Sequence, residues 1–165
     1  MINMTPPTIS KPLVPEWLIV AQSYIGLHEG TTLCANPKVV KFFIECGHAE
    51  ETNDHTTPWC AAFVGAVLQE AHLPNTGSLL ALSYSDYGEQ LVGPIIGAIG
   101  IKRRPGTNLG HVFFVVGFDK SHVWALGGNQ NDQVCIERIP RSVIFAYRWP
   151  SSVPIPTAHN GFVAQ

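Results

Sequence analysis

Apolar and polar positions alternate with two different periods along this chain, and the change falls near residue 90. In "PEWLIVAQSYIGLHEG", Trp17, Leu18, Ala21, Tyr24 and Ile25 recur at helical spacing, and Gly26 supplies a stop. "NPKVVKFFIECG" has Asn36 as an N-cap, Pro37 at the first helical position and Gly47 as the C-terminal breaker. Residues 48 to 57, "HAEETNDHTT", form a polar loop. A third helix is predicted in "PWCAAFVGAVLQEAH", with Trp59, Ala62, Phe63, Ala66 and Val67 on one apolar face and Pro74, Asn75 and Gly77 ending it. "SLLALSYSDYG" reads as a short fourth helix. Beyond it, "GPIIGAIGIKRR", "GHVFFVVGF", "HVWALGGNQ", "QVCIERIP" and "VIFAYRWP" read as strands.

Helices first and an antiparallel meander second predict an α+β fold, with N-terminal helices packed on a roughly five-stranded sheet. The expected organisation is an extended segment over 1–15, rich in proline, a single domain over 16–150 and a loose tail over 151–165.

Composition narrows the function. Of the 165 residues, 45% are hydrophobic and 13% charged, which describes a packed body rather than a disordered chain. A net charge of −2 gives no global field for nucleic acid. The one basic run, Lys102-Arg103-Arg104, reads either as a solvated strand end or as a contact to an anionic polymer. No apolar run is long enough to span a membrane. The N-terminal stretch has no basic start followed by an apolar block, so it does not read as a secretory signal. The four cysteines (Cys34, Cys46, Cys60 and Cys135) fit no zinc spacing and are expected to be free thiols. The histidines contain no HxxxH pair, so neither a metal nor a cofactor is expected.

Cys60 is the candidate nucleophile. Pro58 helps to start its helix, and unpaired N–H groups in a first turn favour a thiolate and can also hold an oxyanion. The alternative is a buried cysteine acting as a small hydrophobe. A thiol nucleophile needs a base, and His111 stands at the start of a strand beside Gly110. If Gly117 and His122 close a four-residue loop, His111 faces Gly128. A shift of one residue places Asn129 opposite His111. His122 then lies at the far end of the hairpin, roughly 17 Å away. Asn129 is therefore the candidate orienting residue, with Gln130 the weaker alternative. Trp59 and Tyr84 are candidates for lining a substrate groove.

The series "IGLHEG", "NPKVVKFF", "PWCAAFV", "GHVFFVVG", "LGGNQNDQV" and "YRWP", spanning residues 25 to 150, resembles the NlpC/CHAP-type cysteine peptidases, a permuted papain-like superfamily. The likeness is closest to a small CHAP-like family of phage lysins and bacterial wall-lytic proteins. One departure is Leu82, where the resemblance leads to an arginine. The resemblance implies hydrolysis of an amide bond of peptidoglycan, by an endopeptidase or an N-acetylmuramoyl-L-alanine amidase. Cys60 would be the nucleophile, His111 the base and Asn129 the orienting residue. A wall enzyme without a secretory signal is expected to be made in the cytoplasm and to act in the periplasm or on the wall of a target or host bacterium, as a phage lysin or as an interbacterial toxin with a cognate immunity protein as partner; a monomer is expected. Two other readings remain open here: a catalytically silent wall-binding module, and a thiol amidohydrolase, deamidase or transglutaminase acting on another substrate.

Overall fold

The computed structural model describes residues 14–157. Three helices, α1 (Glu16–Ser23), α2 (Pro37–Glu45) and α3 (Cys60–Glu70), precede a 3-10 helix over Ala81–Asp86. Six strands follow: β1 (Glu89–Leu91), β2 (Ile99–Arg103), β3 (Gly110–Phe118), β4 (His122–Gln130), β5 (Gln133–Pro140) and β6 (Ile144–Trp149). They form one sheet in the order β1-β6-β2-β3-β4-β5, with every pairing antiparallel.

The α+β expectation holds, with six strands in place of about five. The extra strand, β1, is three residues long and pairs along β6, from Glu89 opposite Trp149 to Leu91 opposite Tyr147. A run that short shows no alternation to read. The expected fourth helix is the 3-10 segment, and the chain turns away at Gly88 with φ of +52°. Of the proposed outer segments, residues 1–13 and 158–165 lie outside the described residues.

α2 begins as its sequence dictates. The Asn36 side chain accepts the Lys38 amide, and Pro37 occupies the first turn. α3 differs from expectation, because it is buried on every side from Cys60 through Leu68 rather than along one stripe. The sheet covers one flank, through Phe114 against Phe63, and α1 and α2 cover the other, through Tyr24 and Phe42 against the same ring. Small residues make the second flank possible. Any side chain at Gly65 would run into the Cys46 sulfur, which donates to the Ala62 carbonyl at 3.4 Å.

Side chains alternate across the sheet. Val112, Phe114, Ile101 and Leu126 join the core beneath the helices. Phe113, Val115, Ala125 and Val123 form a second apolar cluster on the opposite face. The two ends of the β3–β4 hairpin differ in character. At the turn, Asp119 accepts the amides of Ser121 and His122, which holds its carboxyl down at about 2. At the other end the strands part, and the candidate residues gather there.

Candidate active site

β3 and β4 pair from Phe118 opposite Val123 to Phe114 opposite Leu126, with a register shift between Val115 and Gly117. β2 and β3 stay paired further, to Lys102 opposite His111 and Arg103 opposite Gly110. Amide directions alternate along an antiparallel strand. The Val115 amide donates to Ala98 on the β2 side, so the His111 amide shares that direction and Val112 points toward β4. No β4 residue is paired there. The Val112 amide instead lies close enough to the Cys60 sulfur to favour its thiolate, and the Ala61 amide acts in the same sense from the first turn of α3.

Cys60 opens α3, as its sequence predicts. Trp59 precedes it in a non-helical conformation with no side-chain cap, and its carbonyl accepts the Phe63 amide at 2.9 Å. The start of α3 is clamped by side chains that sequence reading left aside. Glu29 accepts the Trp59 indole N–H at 3.0 Å through one oxygen and meets His55 Nδ1 at 3.1 Å through the other. Asp54, 1% exposed, accepts the amides of Gly30 at 2.7 Å and Asn36 at 2.9 Å. These contacts join the loop before α2 to the loop before α3. The signal was an acid in "HEG" and another in "TND", but acids in a polar loop read as solvated.

His111 lies on β3, 7% exposed, with its ring tilted against Phe113 at 5.7 Å. Its Nε2 meets Gln130 Oε1 at 2.8 Å. The Gln130 amide is fixed by its other end, whose Nε2 donates to the Cys135 carbonyl at 2.8 Å and the Ala125 carbonyl at 3.2 Å. Both donors are thus committed and the oxygen must accept. His111 Nε2 therefore carries the proton, and Nδ1 is left as a free base.

The side chain hydrogen-bonded to His111 is thus Gln130, the weaker of the two candidates, and not Asn129. Near the turn the register exceeds the assumed one, and the shift at Val115–Gly117 then brings Val115 opposite Ala125. Continued, that count would set Asn129 opposite His111. Instead β4 breaks from β5 between Gly127 and Gln130, and Asn129 takes a left-handed φ of +55°. That turn carries Gln130 inward, where it is 3% exposed.

Trp59 and Tyr84 also depart from expectation. Both are fully buried, so neither lines a groove in this structure. Trp59 packs on Phe42 and ties to Glu29, and Tyr84 packs on Tyr87 beneath the 3-10 helix. Leu82, the departure from the resemblance, lies against Gly110, where an added Cβ would meet it at 2.6 Å. All four cysteines are free thiols.

Burial pushes the Cys60 thiol up, against the amides of Val112 and Ala61 and the charge of Arg104, which pull it down. Burial also pushes His111 down to about 4, with Gln130 opposing and the charges of Lys102 and Arg104 adding to the shift. At neutral pH the pair rests as thiol and neutral imidazole. Among the described residues no hydrogen bond joins them directly: His111 leaves β3 on the face of Phe113, whereas Cys60 opens the helix that packs on the face of Val112 and Phe114. Among the described residues no group of three or more His, Cys, Asp or Glu is arranged to hold a metal ion.

No family model, curated protein or solved structure was found to match the chain.

Proposed function

We propose that this chain is a thiol hydrolase of peptide amide bonds, with peptidoglycan peptides as its substrate. The observation that carries the reading is the seam between β3 and β4. There a helix-opening cysteine meets the Val112 amide, one residue from a histidine whose tautomer is set by a buried glutamine.

In this reading the Cys60 sulfur attacks the amide carbonyl while His111 Nδ1 takes its proton. The imidazolium then protonates the leaving amine. Water activated by the same nitrogen releases the acid and regenerates the thiol. In this reading the amides of Val112 and Ala61, which favour the thiolate, steady the charge that develops on sulfur. Gln130 stays hydrogen-bonded to Nε2 throughout and does not itself exchange protons. The ordered resemblance to wall-lytic cysteine peptidases supports the substrate, either as endopeptidase or as amidase. It also supports action in the periplasm or on the wall of a target cell, and in the toxin case a cognate immunity protein as partner.

A second reading, a catalytically silent wall-binding module, is favoured by the burial of both Cys60 and His111. Dye release from labelled sacculi separates the two. Wild type should release dye, and Cys60→Ala and His111→Ala should each release almost none while still binding the sacculi. Equal release by all three would remove Cys60 chemistry from the account.

A further inference from the structure

The basic run that composition left undecided lies beside the candidate base. Lys102 is directly opposite His111 in the β2–β3 register, so the two side chains leave the same face of the sheet. Arg104 follows where the strands close, its amide donating to the Leu109 carbonyl at 2.8 Å. Its charge reaches both Cys60 and His111, opposing burial at the thiol and adding to burial at the imidazole. Arg103 is already occupied, its guanidinium lying over the Phe145 ring at 5.5 Å.

Lys102 and Arg104 have no such occupation. Among the described residues neither forms an ion pair. The chain has no acidic residue from Gln90 to Phe118, and the cross-strand neighbours of Lys102 are His111 and Ile144. In a protein of net charge −2, two unpaired cations beside a candidate active-site histidine work against its protonation. An arriving anion would remove that opposition and favour the imidazolium that acyl transfer needs.

We propose that Lys102 and Arg104 form a carboxylate-binding arm of the site, and that the substrate is an acidic peptide with a free carboxylate flanking the scissile amide. This rests on the reading of the chain as a wall-peptide hydrolase and names the feature of the peptide that is recognised. Carboxylate binding to a partly exposed Lys–Arg pair is electrostatic, so it weakens with salt.

The test uses the full chain carrying Cys60→Ala, which binds without turnover, and two probes: a synthetic wall tetrapeptide with free carboxyls and its fully amidated counterpart. Calorimetry should give at least tenfold tighter binding of the free acid. Lys102→Ala with Arg104→Ala should abolish that preference by weakening the free acid alone, while Lys120→Ala, at the opposite end of the β3–β4 hairpin, should keep it. Indifference to the carboxyls, whether both peptides bind alike or neither binds, overturns the proposal, as does a preference that survives the double variant. Turnover by the active chain separates the two claims. Equal cleavage of both peptides would refute the arm and leave the hydrolase standing. Selective binding without cleavage by the active chain would refute the hydrolase and leave the arm.

Discussion

Gln130 Oε1 lies 2.8 Å from His111 Nε2, and both Gln130 amide protons are spent on backbone carbonyls of Ala125 and Cys135. This relationship fixes which histidine nitrogen is free to act as a base. Gln130→Ala should therefore lower kcat by about ten- to a thousandfold with KM little changed, since the glutamine orients but does not transfer protons. Asn129→Gly should keep near-wild-type turnover, because glycine adopts a φ of +55° without strain. Steady-state kinetics on a fluorogenic wall peptide would check the pair, and a larger defect at Asn129 would return the orienting role to it.

The burial of His111 predicts an acid-sensitive fold. Its folded pKa is about 4, below the ordinary value near 6.5. Between those values the unfolded chain binds a proton that the folded chain does not, so stability rises with pH across this window. The contribution is fully present above about pH 6.5 and is lost as pH falls toward 4. It amounts to at most about 3 kcal/mol. Urea unfolding from pH 7 to pH 4 should show a decline that is shallower in His111→Gln. Parallel declines would mean that the imidazole is not held neutral by burial.

Close approach of β4 to α3 gives a packing prediction. A Cβ on Gly128 would lie 2.6 Å from Phe63 Cβ and 2.8 Å from the Trp59 ring. These atoms belong to buried core residues with little room to shift. Gly128→Ala should cost about 1–3 kcal/mol in chemical denaturation. A neutral effect would place β4 further from α3 than described.

Asp54 should matter for stability although it lies in a polar loop. Asp54→Ala leaves the Gly30 and Asn36 amides without their acceptor and should cost about 2–4 kcal/mol. Asp54→Asn keeps one acceptor oxygen and should cost less. The ratio of unfolding midpoints checks this, and equal losses would assign the effect to charge instead.

Much of this arrangement was legible in the sequence, because periodicity reports burial. The α+β order, α2 with its Asn36 cap, Cys60 at a helix start and His111 at a strand start all follow from local pattern and capping chemistry. Gln130 was harder to see. Strand alternation assumes two residues per repeat, and a single left-handed residue at Asn129 changes which side chain turns inward. Trp59 and Tyr84 mislead for another reason. An aromatic beside a reactive residue reads equally well as a groove wall or as core, and only the packing of α1, α2 and the 3-10 helix over α3 decides for core. Glu29 and Asp54 act through loops brought together in three dimensions, for which no spacing rule exists.

The central claim is tested most directly by mass spectrometry of purified peptidoglycan after digestion with the wild-type chain and with Cys60→Ala. The account predicts soluble fragments from wild type in which one amide bond has gained water, leaving a new amine and a new carboxyl. Digestion should proceed in the presence of EDTA, stop after thiol alkylation and be absent with Cys60→Ala. Fragments cut at a glycosidic bond, or identical amide fragments from Cys60→Ala, would contradict it.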